Sequence, residues 1–322
     1  MPPCIAPGRG VFRLTFQGIE KRQRNATLAG KISGCVGVAK CLIDMRFPMP
    51  LLFGVLVATA HWAARAAEPS LVITSVGEPQ RYSAATLLAR KDLASISVPY
   101  DVSYRRAATY RAVPLLALLP VRGDSRFDTL EARATDGFIA QIPLTLVTQG
   151  ARGGAVAWLA IEDPARPWEP LPHHKQSAGP FYLVWKNPER SNIRTEQWPH
   201  WLVSLTLVEG PLHRWPQLAL PAGATTADTA RAGQQVFLSF CLPCHRLNGG
   251  GASDTGPDLG QPMNATEYLT EAGLRAIIRN PRAVRTWPRQ TMGGFGSQSL
   301  PDTDVDNLLV YLRAMAQKPA GK

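Results

Sequence analysis

Cysteine is scarce in this chain, with five in 322 residues. That number is too low for a small scaffold held together by disulfides. Acidic residues are also in short supply, 24 against 35 Lys and Arg, for a formal net charge of +11. The apolar stretch Leu51–Ala58 falls well short of the ~20 residues that a comfortable membrane-spanning helix needs. Glycine and proline, 27 and 28 residues, follow no repeat, which excludes a collagen-like chain. With 45% hydrophobic residues, a fully disordered chain is excluded as well. The length fits about two domains at ~150 residues each.

The basicity is unevenly spread. Residues 1–67 hold nine Lys and Arg and two acidic residues, leaving 26 basic and 22 acidic residues after them, a net of +4. A residual charge that small gives no reason to expect nucleic-acid binding. The segment 45–66 has a basic start at Arg46, the apolar core just named, and the small-residue site Ala64-Arg65-Ala66. Those three parts in that order are a secretory signal peptide, with an uncleaved anchor as its alternative. Residues 1–44, rich in Gly and Arg and without periodicity, read as a mis-assigned start or a disordered leader. Cleavage after Ala66 removes Cys4, Cys35 and Cys41 and places the mature chain in the periplasm, free of any membrane span.

Two thiols then remain, in Cys241-Leu242-Pro243-Cys244-His245. A C-x-x-C-H segment can bond both thiols to the vinyl groups of one haem and hold the following His beneath the iron. A redox dithiol would want a βαβ setting, which is missing around it. A zinc site would want further Cys or His ligands, and the C-terminal part offers none. The expected cofactor is therefore one covalent haem c, with His245 as an axial iron ligand. Met/His is the usual pair for such an electron-transfer haem. Met292, in the loop between the second and third C-terminal helices, is the expected partner. Met263 is the fallback, and Met315 belongs with the packing of the last helix.

Periodicity predicts helices over Thr229–Phe240, Thr266–Arg279 and Asp302–Ala316. On these residues the stretch 228–318 resembles a class I cytochrome c domain. Ala232-Gly233 and Phe237 match the small and aromatic residues that cross the last helix in that family, and Tyr311-Leu312 match their partners. Gly256-Pro257-Asp258-Leu259 is similar to the family's G-P-x-L loop. The resemblance implies that the Pro257 carbonyl receives the second ring N–H of His245. Where the family often has Pro beside or soon after the methionine, Met292 is followed by two glycines.

Residues 68–209 read as a mixed α/β domain, so the fold class is α+β in two domains joined by a Pro-rich linker, 210–227. Strands are expected at Leu71–Val76, Ala94–Val98, Leu130–Ala134, Phe138–Ile142, Val156–Ile161, Phe181–Trp185 and Trp201–Val208, from their β-branched and aromatic content. Asp136-Gly137 signals a hairpin turn, and helices are expected at Ala84–Arg90 and Val113–Leu119. Several segments resemble the molybdopterin-binding domain of the sulfite oxidase family: Thr109–Leu115, Ala134–Phe138, Ile142-Pro143-Leu144 and Gly179–Trp185. In that family a cysteine thiolate ligates molybdenum, and residues 68–240 contain no cysteine. A molybdenum cofactor is not expected.

Other polar groups carry bland readings beside sharper ones. His173-His174-Lys175 is a solvated loop or a titrating or metal-binding pair. His200 and His213 read as packing or surface residues. Arg275, Arg279, Arg282, Arg285 and Arg289 form either a solvated face or a surface that steers an acidic redox partner. The expectation is an electron carrier without substrate turnover of its own, exchanging electrons with a periplasmic dehydrogenase or a terminal acceptor. The rival is a molybdenum enzyme that uses the haem as internal acceptor.

Overall fold

A computed structural model describes residues 68–316, apart from 76, 120, 122–125, 222–226 and 289. The expected leader and signal peptide, with Cys4, Cys35 and Cys41, lie outside the described residues, as does Arg289. The described residues contain sheets in the first part and helices in the second.

Among the described residues nine strands make two sheets. The first has the order β2 (Gln80–Ser83), β1 (Ser70–Thr74), β9 (Leu202–Val208), β5 (Thr129–Ala134), β6 (Ile139–Pro143). The second has the order β3 (Ala94–Asp101), β4 (Arg106–Pro114), β7 (Val156–Ile161), β8 (Phe181–Lys186). The β1–β9 pair is parallel and the rest are antiparallel. Strand β3 alternates, with Ile96 and Val98 buried and Ser95 and Ser97 exposed, as expected for a strand with one wet face. Strand β8 is buried from Phe181 to Trp185. Both sheets feed one apolar core, Leu71, Leu130 and Leu205 from the first joining Val113, Leu159 and Leu183 from the second.

All seven expected strands are present within a few residues of their predicted ends. β2 is polar and lacks apolar alternation, so periodicity does not show it. The expected helix Val113–Leu119 is corrected. Val113 and Pro114 continue β4 and pair with Leu159 and Trp158, so only Leu115–Ala117 turn. Pairing with β7 overrides the helical spacing of the leucines. Short helices α1 (Ala84–Leu88) and α2 (Leu144–Thr148) connect strands, the latter unforeseen.

The stretch expected as a linker forms α3 (Pro211–Arg214) and a further turn at Pro216–Leu218. Leu218 is buried in the helical core, and its carbonyl accepts from Tyr311 Oη at 2.7 Å and from Gln234 Nε2 at 2.8 Å. Behind it come α4 (Ala227–Val236), α5 (Ala265–Tyr268), α6 (Glu271–Arg279), α7 (Pro281–Val284) and α8 (Asp302–Ala316). The expected helix Thr266–Arg279 is divided into α5 and α6. Leu269 is extended, and Thr270 caps α6 by accepting from Gly273 N.

Helices α4 and α8 cross at Gly233. A Cβ there would lie 1.9 Å from the Asn307 carbonyl oxygen, so only glycine permits the contact. Phe237 and Tyr311 then meet as tilted rings, 5.6 Å between centroids and 48° between planes. The crossing residues expected from the family resemblance do meet.

Candidate functional site

The chain beyond α4 widens into a π-type turn over Phe237–Cys241, where Leu242 N–H reaches back to the Phe237 carbonyl at 2.9 Å. Such turns occur often at functional sites. The widened turn delivers Cys241, and the tight turn after it brings Cys244 and His245 N–H onto the Cys241 carbonyl, at 3.1 and 2.8 Å. Both thiols are free and half-buried. Burial, with help from each other's charge and from Glu196, pushes Cys241 up to about 12. Burial, Glu196 and Asp136 do the same for Cys244. A reactive redox dithiol needs the opposite shift. Among the described residues no group of three or more His, Cys, Asp and Glu is placed to hold a metal ion. The donor set fits a thioether-linked haem better than either rival chemistry.

His245 Nδ1 lies 2.8 Å from the Pro257 carbonyl oxygen. With Nδ1–H donating to that carbonyl, Nε2 is left as the neutral ligating nitrogen. Burial lowers the His245 imidazole, opposed by Pro257 and Asp258, so the neutral form is the favoured one. Gly256 makes this contact possible: a Cβ there would lie 2.4 Å from His245 Cε1 and 2.6 Å from Nδ1.

Asp258, to which sequence reasoning gave no role, organises this loop. Its carboxylate accepts from the backbone N–H groups of Asn248, Gly249, Gly260 and Gln261 at 2.7 to 3.1 Å. The loop is stitched to the cysteine segment by Gly256 N–H to the Cys244 carbonyl and Leu259 N–H to the Arg246 carbonyl. An Asp directly after a Gly-Pro pair, where loop N–H groups converge, was the available signal.

The methionines separate by environment. Met315 is fully buried in the helical core and Met263 is 51% exposed. Met292 is half-buried in the loop that leads into α8. Three residues on, Phe295 packs edge-to-face on Phe240, the residue before Cys241, at 5.6 Å. The methionine loop and the cysteine segment therefore share one side of the domain. The second of the two glycines after Met292 has a physical reason. A Cβ on Gly294 would lie 2.1 Å from the Arg279 carbonyl oxygen. The Arg279 guanidinium, in turn, donates to the Phe295 and Leu300 carbonyls at 2.9 and 2.6 Å and pairs with Asp302 at 2.5 Å. Clamping by Arg279 takes the place of a stiffening proline.

The first domain lies against the cysteine segment. Ile139 N–H donates to the Pro243 carbonyl at 2.9 Å, and Ser253 Oγ donates to the Gly137 carbonyl at 2.9 Å. Arg194 pairs with Asp304 at 3.2 Å beside the Phe240 ring. A cleft of about 400 Å³ lies here, lined by Leu146, Arg194, Val236, Phe240 and Asp304 among others. Glu196 sits close enough to be felt at both thiols, and burial pushes its carboxyl up to about 7.

His174 and His200, far apart in sequence, flank the Trp201 ring at 5.4 and 4.5 Å. Burial lowers His200 to about 4, against a smaller opposing effect of Asp136. Trp201 itself adopts a left-handed φ of 54°, held by bonds from its N–H to the Ala178 carbonyl and from Thr135 N–H to its own carbonyl. So bulky a residue in that region is strained. His173, the neighbour of His174, also has a left-handed φ of 65° and is exposed, apart from this group. Of the arginine run, Arg275 pairs with Glu271 and Asp306 and Arg279 with Asp302, so both serve the fold.

The family model described as Cytochrome c matches residues 230–316. Among curated proteins none matches the chain.

Proposed function

We propose that this chain, which carries a c-type cytochrome domain at residues 230–316, is a periplasmic electron carrier with one covalent haem and a fused β-rich domain. Cys241 and Cys244 would attach the haem, His245 and Met292 would ligate its iron, and Pro257 would orient His245. A haem held there supplies one-electron exchange between ferric and ferrous iron. The protein's part is to fix the ligands, exclude water and set the approach of partners. The observation that carries this reading is the His245 Nδ1 contact to the Pro257 carbonyl at 2.8 Å, directly after two free thiols whose surroundings oppose ionisation.

The β-rich domain acts as a partner-docking or ligand-binding module related to the sulfite oxidase family. Its resemblance segments fall on β4, the β5–β6 turn, the junction of β6 with α2, and β8. The strained Trp201 between His174 and His200 marks the face that supports a binding role. Without a cysteine in residues 68–240, that domain has no thiolate for molybdenum.

Metal content per polypeptide tests this directly, on full-length protein matured in a haem-attaching periplasm. One iron and no molybdenum is expected. Stoichiometric molybdenum would make the chain a self-contained oxidoreductase and end this reading.

A further inference from the structure

The cysteine edge of the helical domain is closed off by the chain's own first domain. Ile139 N–H is bonded to Pro243 between the two cysteines, and Gly137 accepts from Ser253. Gly137 approaches so closely that a Cβ on it would lie 2.7 Å from Thr255 Oγ1. The turn that does this joins β5 and β6, which are paired over five residue positions. A partner could reach this edge only by displacing a hairpin built into a sheet.

The face that precedes the methionine loop is built the other way. Helix α7 starts at Pro281 and is capped by Asn280 Oδ1, which accepts from Ala283 N–H at 3.3 Å. Thr286 Oγ1 donates to the Arg282 carbonyl. On this small fixed platform stand two exposed apolar side chains, Val284 at 45% and Trp287 at 52% exposure. Arg282 and Arg285 flank them, both exposed. The Arg285 guanidinium lies over the Trp287 ring at 5.2 Å. Arg275 and Arg279 are used up by Glu271, Asp302 and Asp306, whereas among the described residues no carboxylate pairs with Arg282 or Arg285.

An exposed Trp beside unpaired Arg has the composition of an interface hot spot, and fixed positive charge steers partners of opposite sign. We propose that electrons enter or leave through this α7 face, whose Trp287 lies five residues before Met292, and that the partner seated there is a redox protein with an acidic surface. Trp287 and Val284 supply the apolar centre of the contact, and Arg282 and Arg285 its attractive rim. The inference rests on the reading of the helical domain as a His245/Met292 haem site, and it adds where the partner sits.

The test uses full-length, haem-loaded, reduced protein in stopped-flow oxidation, with plastocyanin as acidic acceptor and horse heart cytochrome c as basic acceptor. At low ionic strength the double variant R282E/R285E should react with plastocyanin about tenfold or more slowly, and its rate should lose most of its salt dependence. The same variant should react faster with the basic acceptor. W287A should slow plastocyanin several-fold while keeping the salt dependence. The control pair R152E/K186E reverses two exposed charges on the first domain, and should change the rates by less than about twofold. Unchanged rates in R282E/R285E, or an equal fall in the control pair, would overturn the assignment of this face. Each variant's visible spectrum is recorded alongside. Wild-type protein without covalent haem would overturn the haem reading itself and this inference with it, an outcome distinct from a haem protein whose rates ignore α7.

Discussion

Replacing Arg279 by Gln should loosen the methionine loop without unfolding the domain. The guanidinium donates to two carbonyls, Phe295 and Leu300, beyond Met292, and pairs with Asp302. Its side chain is 25% exposed, so the carbonyl bonds are partly desolvated, whereas Asp302 is 79% exposed. Each hydrogen bond from a charged donor contributes about 1.5–3 kcal/mol when well shielded. The exposed ion pair adds less than about 1 kcal/mol. The loop keeps two other anchors, the Phe295 N–H bond to Ile278 and the Phe240 ring contact. Allowing for these, the loss in Arg279→Gln is about 2–3 kcal/mol, which raises the open-loop population about 30- to 140-fold at 1.4 kcal/mol per factor of ten. With Met292 as the iron ligand, as proposed above, the rate at which added cyanide displaces it from ferric protein follows that population, so it should rise by a similar factor. Asp302→Asn should raise it less than about fivefold, because it removes only the exposed pair. A cyanide rate unchanged in Arg279→Gln, or raised equally by Asp302→Asn, would refute the idea that the two carbonyl bonds hold the loop.

Three further outcomes follow from the same geometry. Gly256→Ala should push the His245 ring off the Pro257 carbonyl and weaken iron ligation about 10–100-fold, read as a high-spin fraction in the visible spectrum; Gly293→Ala, with nothing within 4 Å of its Cβ position, should leave the spectrum alone. Gly233→Ala should force α4 and α8 apart at the Asn307 carbonyl and cost about 2–3 kcal/mol of stability, measured by denaturant midpoint. Arg214→Met should remove one of the two arginines that meet the buried Glu131 carboxylate, Arg214 at 2.6 Å and Arg133 at 2.7 Å, and cost about 1–2 kcal/mol at neutral pH, well below the cost of breaking a fully buried pair, because Arg133 and Gln141 stay in place. Burial raises the Glu131 carboxyl, but bonds from Gln141 and Arg214 outweigh it and hold it below its ordinary value of 4.5. The stabilisation it gives is present above that value and is lost as pH falls through the lowered one. In Arg214→Met the downward pull of Arg214 is lost while those of Gln141 and Arg133 remain, so the carboxyl moves up from its wild-type position. The stability gap between wild type and variant should therefore narrow on acidification from pH 7 to about pH 4, and a gap that stays constant would count against this account.

Much was legible in the linear order of residues because it rests on local spacing. C-x-x-C-H needs only five consecutive positions. The β-branched and aromatic runs of β7, β8 and β9 and the acidic start of α8 at Asp302 declare themselves within single segments. The crossing of α4 and α8 was expected only through the resemblance of Ala232-Gly233, Phe237 and Tyr311-Leu312 to the cytochrome family, not from spacing. What depended on distant partners was not legible. Val113 and Pro114 looked helical until β7 paired with them, and the 210–227 segment looked like a linker until Tyr311 and Glu131 gave Leu218 and Arg214 their partners. Asp258 gained its role only when four N–H groups converged on it. The arginine run was uniform in sequence, and only packing against Glu271, Asp302 and Asp306 separated Arg275 and Arg279, which hold the fold, from Arg282 and Arg285, which face solvent. Sequence by itself determined which chemistry the chain can carry, since covalent attachment and ligation depend on residue type at short range. Tertiary structure alone decided which edge of the proposed site the first domain covers, because that coverage comes from residues far apart along the chain.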